Sequence, residues 1–154
     1  MIEYEEYGAE ALDRIQPLWE MLNRHHAERS TRFRERFEQL AFATRRQHLL
    51  KQAGNGKLRL WMARNTTTGR DEGYCVVVLG NDGSGEVASL FVHPEARKRG
   101  LGHELMTRAL NWLEKAGATT KSITVVAGNE ETFDFYARYG FFPSCTCLQQ
   151  QKPR

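Results

Sequence analysis

Arg97, Lys98 and Arg99 stand in a row, and Gly100 and Gly102 follow them at once, at the end of the stretch Leu90-Phe91-Val92-His93-Pro94-Glu95-Ala96-Arg97-Lys98-Arg99-Gly100-Leu101-Gly102. Cations beside glycines can hold a pyrophosphate. The apolar run Leu90-Phe91-Val92 ends at Pro94, and the periodic pattern from Leu101 onward opens a helix. The first turn of a helix carries N–H groups without intrahelical partners and the positive end of its dipole. Glycine lets that backbone approach a phosphate closely, and adjacent cations add charge-assisted contacts.

Two other phosphate motifs do not fit. A Walker loop needs Lys-Ser or Lys-Thr after its second glycine, and His103-Glu104 stand here. A dinucleotide fingerprint needs a third small residue at position 105, which is Leu105. A helix start with solvated basic residues is the plain alternative.

A second segment narrows the choice. Asn129 closes an apolar run, Tyr136 follows seven residues later, and Gly140-Phe141 come next. At helical period Phe133, Tyr136 and Tyr139 share a face, so Tyr136 can point from a helix toward a sheet. Tyr136 also reads as one more core aromatic.

The elements that position these residues follow from pattern. Residues 2 to 7 form a first strand, and residues 8 to 29 have helical spacing at Leu12, Ile15, Leu18, Trp19, Leu22 and His26, with Pro17 kinking or dividing the helix. Residues 31 to 53 are helical with one break and stop at Gly54-Asn55-Gly56. Residues 57 to 64, 72 to 79 and 86 to 92 are strands separated by polar, glycine-bearing turns. Residues 101 to 116 form a helix closed by Gly117, residues 122 to 127 a strand buried on both faces, residues 130 to 139 a helix closed by Gly140, and residues 141 to 148 a last strand. Hairpins first and crossover helices later imply an α/β (α+β) fold, a mixed sheet with helices on its faces. No repeat or linker divides the 154 residues, so residues 1–154 read as a single domain.

Formal net charge is only +3, and the arginines between Arg24 and Arg46 are interleaved with Glu28, Glu35 and Glu38, so no nucleic-acid partner is expected. No apolar run is long enough to span a bilayer, and the acidic start is unlike a signal peptide, so the chain is expected off the membrane, in the cytoplasm. Three cysteines make no closed disulfide framework and no zinc spacing; Cys75, Cys145 and Cys147 are expected as free thiols in or near a core, and no metal is expected.

Arg97-x-x-Gly100-x-Gly102 followed by Asn129 and Tyr136-x-x-x-Gly140-Phe141 resembles the GNAT superfamily of N-acetyltransferases. The resemblance covers about residues 86 to 142, the preceding hairpins fit the same fold, and residues 8 to 56 match loosely as the variable helical region over the acceptor. It implies a mostly antiparallel sheet whose two central parallel strands, 86–92 and 122–127, splay apart for acetyl-CoA. Leu90, Phe91 and Val92 would then bond the pantetheine through their backbone, with Asn129 on the same arm. The amides of Arg97, Lys98, Arg99, Gly100, Leu101, Gly102 and His103 would hold the pyrophosphate. The implied reaction is direct attack by a neutral amine on the thioester in a ternary complex, with Tyr136 beside the cofactor's sulfur as general acid. A backbone N–H near Phe91 would stabilise the oxyanion, which can be worth about 3–4 kcal/mol.

For the base, Glu86 occupies a place where some members of the family hold a carboxylate, and it reads equally well as a solvated residue at a strand's start. Another such place in the family is Ala88 here. His25 and His26 are candidates for the acceptor pocket, although each also reads as a surface histidine. The expected function is acetylation of a small-molecule primary amine. The alternatives are a protein amine as acceptor, or a non-catalytic acyl-CoA-binding module. Many such proteins pair as homodimers, which sets the expectation for assembly.

Overall fold

The computed structural model describes residues 1–152. Its centre is a five-stranded sheet in sequential order: β1 (Ile2–Tyr7), β2 (Lys57–Asn65), β3 (Asp71–Leu79), β4 (Ser84–Val92) and β5 (Thr120–Ile123). The first four strands pair antiparallel, and β4 with β5 is parallel. The helices are α1 (Gln16–Arg29), α2 (Arg34–Gln39), α3 (Phe42–Ala53), α4 (Leu101–Lys115) and α5 (Phe133–Ala137). The mixed α/β architecture is the one the sequence implies.

Pro17 occupies the first turn of α1, where its missing N–H has no partner to lose, and residues Ala9–Ile15 before it wind as a 3₁₀ turn. The expected helix over residues 8 to 29 is thus divided at that proline. The expected break in residues 31 to 53 falls between Gln39 and Phe42.

The sheet separates two cores. On one face Leu12, Ile15, Leu18, Trp19, Phe42 and Leu49 pack on Leu60, Met62, Tyr74, Val76 and Phe91. On the other, Leu101, Leu105, Met106, Ala109 and Leu113 of α4 pack on Trp61, Cys75, Val77 and Val87. β3, covered on both sides, is buried from Glu72 to Leu79. Leu105 is fully buried at the centre of the α4 layer. Leu105→Ala should lower the unfolding free energy by about 2–5 kcal/mol, read as an earlier urea midpoint at an unchanged m-value.

A β-bulge interrupts the β3–β4 ladder: Val76 lies opposite Ser89 and Val77 opposite Val87, leaving Ala88 without a partner. One surplus residue turns every later side chain to the other face. Accordingly Val87 belongs to the α4 core, whereas Ser89 bonds Tyr74 and Phe91 joins Tyr74 in the α1/α3 core.

Three expectations need correction. β5 begins at Thr120 and ends at Ile123, so it is two residues early and shorter than the strand read over 122 to 127, and none of its residues is fully buried. Residues 141 to 148 form no strand, so β5 lies at the sheet's edge and lacks the neighbour that would bury it. Pro143 has no N–H to give to a ladder, and the segment instead runs toward Arg32, whose carbonyl accepts from the Gln151 side chain at 2.7 Å. Cys145 and Cys147 are therefore exposed, with only Cys75 buried.

Candidate active site

β4 and β5 pair over four residues only, from Ser84 with Thr120 to Val87 with Ile123. Past that point β4 continues to Val92 while the chain after β5 departs, opening a gap along Ala88 to Val92. The direction of the backbone groups facing this gap follows from the ladder. The His93 N–H donates to the Glu72 carbonyl of the segment leading through β3 at 2.7 Å. Alternate residues along a strand turn the same way, so Phe91 also addresses β3, while Leu90 and Val92 present N–H and C=O to the gap. Of the three residues expected to bond the arm through their backbone, Phe91 has its polar groups occupied by its pairing with Tyr74, and Leu90 and Val92 face the gap. The Val92 carbonyl accepts from Arg97 Nε at 3.0 Å, and the same guanidinium lies 5.4 Å from the centre of the Phe91 ring.

The gap leads into the loop before α4. Lys98 has φ 65° and Gly100 φ 83°, two left-handed residues in a short turn. A lysine in that region is held there at a cost, and such conformations collect at ligand-binding turns. The first helical bond inside α4 runs from the Glu104 N–H to the Gly100 carbonyl, at 3.0 Å. The N–H groups of Leu101, Gly102 and His103 therefore have no intrahelical acceptor. A Cβ on Gly102 would rest against the Phe135 ring at 3.4 Å, so the approach of α4 and α5 leaves no room here for a larger side chain.

Gap, loop and α5 enclose one cleft of about 440 Å³. Leu90, Phe91, Val92, Arg97, Lys98, Gly100, Leu101, Gly102, His103, Asn129, Tyr136 and His25, all singled out from sequence, line it. Arg99, Glu86 and His26 do not. Tyr136 is half-buried on α5, and its hydroxyl makes no hydrogen bond among the described residues. Burial, with Cys75 nearby, pushes its pKa up to about 12. Asn129 Oδ1 lies 3.2 Å from His25 Nε2, which joins the far side of the cleft to α1; Glu131 lies between His25 and Arg29 and pairs with both. His103 Nδ1 is 2.7 Å from the Tyr139 hydroxyl.

The residues outside the lining have definite settings. Glu86 takes a hydrogen bond from the Gln52 side chain of α3. His26 turns from the cleft toward Phe37, its ring centre 5.6 Å away, and burial first, then His25 and Arg45, lower its pKa to about 4. Reading the sequence missed Phe135, Leu22, Glu131 and Thr132, which also line the cleft. Phe135 had one available signal, the need for a small residue at Gly102; the others carry no motif.

Comparison with known proteins follows the same geometry. Residues 18–141 match the family model described as the acetyltransferase (GNAT) family. A curated but uncharacterized N-acetyltransferase of Methanocaldococcus jannaschii is 34% identical over 56 residues, 36% of this chain, and the chain spans only 25% of that relative's length. Among solved structures, a GCN5-related N-acetyltransferase from Ralstonia eutropha superposes with a TM-score of 0.74 at 19% identity, covering 97% of this chain and 98% of that one. An aminoglycoside N-acetyltransferase in complex with CoA gives 0.68 at 13% identity, covering 99% and 95%. A ribosomal-protein-alanine N-acetyltransferase from Brucella melitensis gives 0.65 at 13% identity, covering 99% and 100%. At these identities the likeness is one of fold.

Proposed function

We propose that this chain, which belongs to the acetyltransferase (GNAT) family, works as a single domain that transfers the acetyl group of acetyl-CoA to the primary amine of a small molecule by direct attack in a ternary complex. The observation that carries this reading is the parting of β4 from β5 after Val87 and Ile123, which leaves the N–H and C=O of Leu90 and the N–H of Val92 facing a cleft. An extended amide-bearing arm can complete that edge as a strand would. The left-handed turn at Lys98 and Gly100, with the open amides of Leu101, Gly102 and His103, suits the diphosphate at the arm's other end. Lys98 and Arg99 add positive charge there, and Asn129 is placed to bond the arm across the cleft.

Acetyl-CoA, when bound, supplies an activated acyl carbon and a thiolate leaving group. The amine nitrogen forms a bond to that carbon as the carbon–sulfur bond breaks. Tyr136, protonated throughout the neutral range, gives its proton to the departing sulfur. The amine's proton passes to Glu86, through water, since Glu86 stands outside the cleft lining. The N–H of Leu90 is the backbone donor nearest the inner part of the gap for the charge that gathers on the carbonyl oxygen. His25 is placed on the acceptor's side and His26 behind it. A cytoplasmic setting fits three cysteines outside any disulfide, and a homodimer fits the exposure of Phe142 and Leu148.

Purified protein should bind CoA in a calorimeter and release free thiol from acetyl-CoA in proportion to added amine. Binding without thiol release across a broad amine panel would favour a sensing module. No binding would sink the assignment.

A further inference from the structure

Arg45 is the residue to explain. It projects from α3 into the α1/α3 side of the sheet, and one of its Nη2 protons bonds the Ala88 carbonyl at 2.9 Å. Ala88 is the bulge residue, just past the last β4–β5 pair, so its carbonyl marks the inner end of the gap. Counting back along β4 from the loop at 97–103, the gap-facing positions are Val92 and Leu90, and the unpaired Ala88 comes next at the inner end. An arm anchored by its diphosphate at that loop and laid along these residues brings its acyl end to Ala88, roughly 13 Å from Val92 at strand spacing. In that arrangement the Arg45 guanidinium, held on the Ala88 carbonyl, would stand beside the carbon that reacts.

Its charge has no counterpart. Arg14, Arg29, Arg34, Arg46, Arg64, Arg70 and Arg108 each lie within ion-pair distance of a carboxylate, and Arg45, although half-buried, does not among the described residues. Glu86 is the carboxylate whose charge reaches Arg45, behind the larger effect of Tyr74, and that carboxylate is held by Gln52. His26, alongside, keeps a buried Nδ1 without a partner and stays neutral, so it adds polarity but no charge. The remaining donors of Arg45 are not among the sealed, unpartnered atoms of the fold and so stay reachable. A desolvated guanidinium with donors to spare is a ready site for a carboxylate, which it can grip in a fork.

Building on the acetyltransferase reading, we infer that the acceptor is an amine carrying a carboxylate, an amino acid or close analogue, with Arg45 holding the carboxylate and the amine directed toward Glu86 and the acyl carbon. The two charges of a free amino acid then meet two opposite charges of the protein, one on α3 and one on β4. A polyamine or an aminoglycoside would instead press a second cation against Arg45.

The test uses the whole protein with acetyl-CoA and three groups of acceptors: amino acids, their carboxamides, and polyamines with aminoglycosides. Amino acids should exceed the matching carboxamides in kcat/KM by about tenfold or more, the scale of one charged hydrogen-bonded contact. Arg45→Gln should collapse that ratio toward one, and Arg45→Lys should restore part of it, with CoA affinity measured alongside as a control on folding. A preference of the unaltered protein for carboxamides or polyamines overturns the inference and leaves the acetyltransferase assignment standing. So does an Arg45→Gln variant that loses both acceptor classes equally, which would mark Arg45 as a support for the bulge. Failure of every amine to release thiol overturns both.

Discussion

Replacing Tyr136 with phenylalanine should lower kcat by about a hundredfold or more, within the 10²–10⁴ range of general acid–base help, while CoA affinity changes by less than about twofold. The expectation of a large effect rests on the setting of the hydroxyl. It faces the cleft, has no protein partner among the described residues to hold its proton, and has its pKa raised to about 12 by burial. An acid must be protonated to act, so this group stays competent as pH rises through 10 and fails only as pH approaches 12. The rate profile should accordingly show an acidic limb from the amine and the base, and no alkaline limb from Tyr136 below about pH 11. Pre-steady-state measurement of thiol release isolates the step. A variant that binds CoA as before and turns over unchanged would remove Tyr136 from the chemistry and give the proton to water.

Gly102→Val should weaken CoA binding by about ten- to a hundredfold, about 1.4–2.7 kcal/mol and within the range that overpacking costs, with the fold kept. A Cβ alone would already meet the Phe135 ring at 3.4 Å. Two further methyl carbons must push α5 outward or swing over the open amides at the start of α4, and either movement would spoil the turn proposed to receive the diphosphate. Gly100 makes a useful contrast: it has nothing within reach of a Cβ, and its φ of 83° is what restricts it. A Gly102→Val protein with CoA affinity intact would show that the first turn of α4 is not the anchoring point.

Much of this was legible in the chain of letters. The cation–glycine run marked the loop because phosphate binding draws on few residue types at fixed spacing, and twelve of the expected site residues line one cleft. Strands β1 to β4 declared themselves by alternation and turns. The failures have physical causes. The apolar run at 122 to 127 pointed to a buried strand, but burial depended on a neighbour at 141 to 148 that never pairs, and Pro143 is part of why. The gap-facing role went to Leu90 and Val92 and not to Phe91 because hydrogen-bond direction alternates along a strand, and the phase of that alternation is fixed by β3. Arg45 was hidden among the many arginines of residues 24 to 46. What distinguishes it is a half-buried guanidinium with no carboxylate in ion-pair reach among the described residues, and both properties depend on three-dimensional neighbours.

The unpaired Ala88 has an architectural consequence. Like a half-twist put into a ribbon, it lets one strand serve two masters: the stretch before it plasters the wall under α4, and the stretch after it floors the opposite chamber with Ser89 and Phe91. The same kink takes a carbonyl out of the ladder, and a side chain from another helix has been recruited to it. The passage from one wall of the protein to the other is thus a single position in β4, set by a count of residues and not by the identity of any one of them.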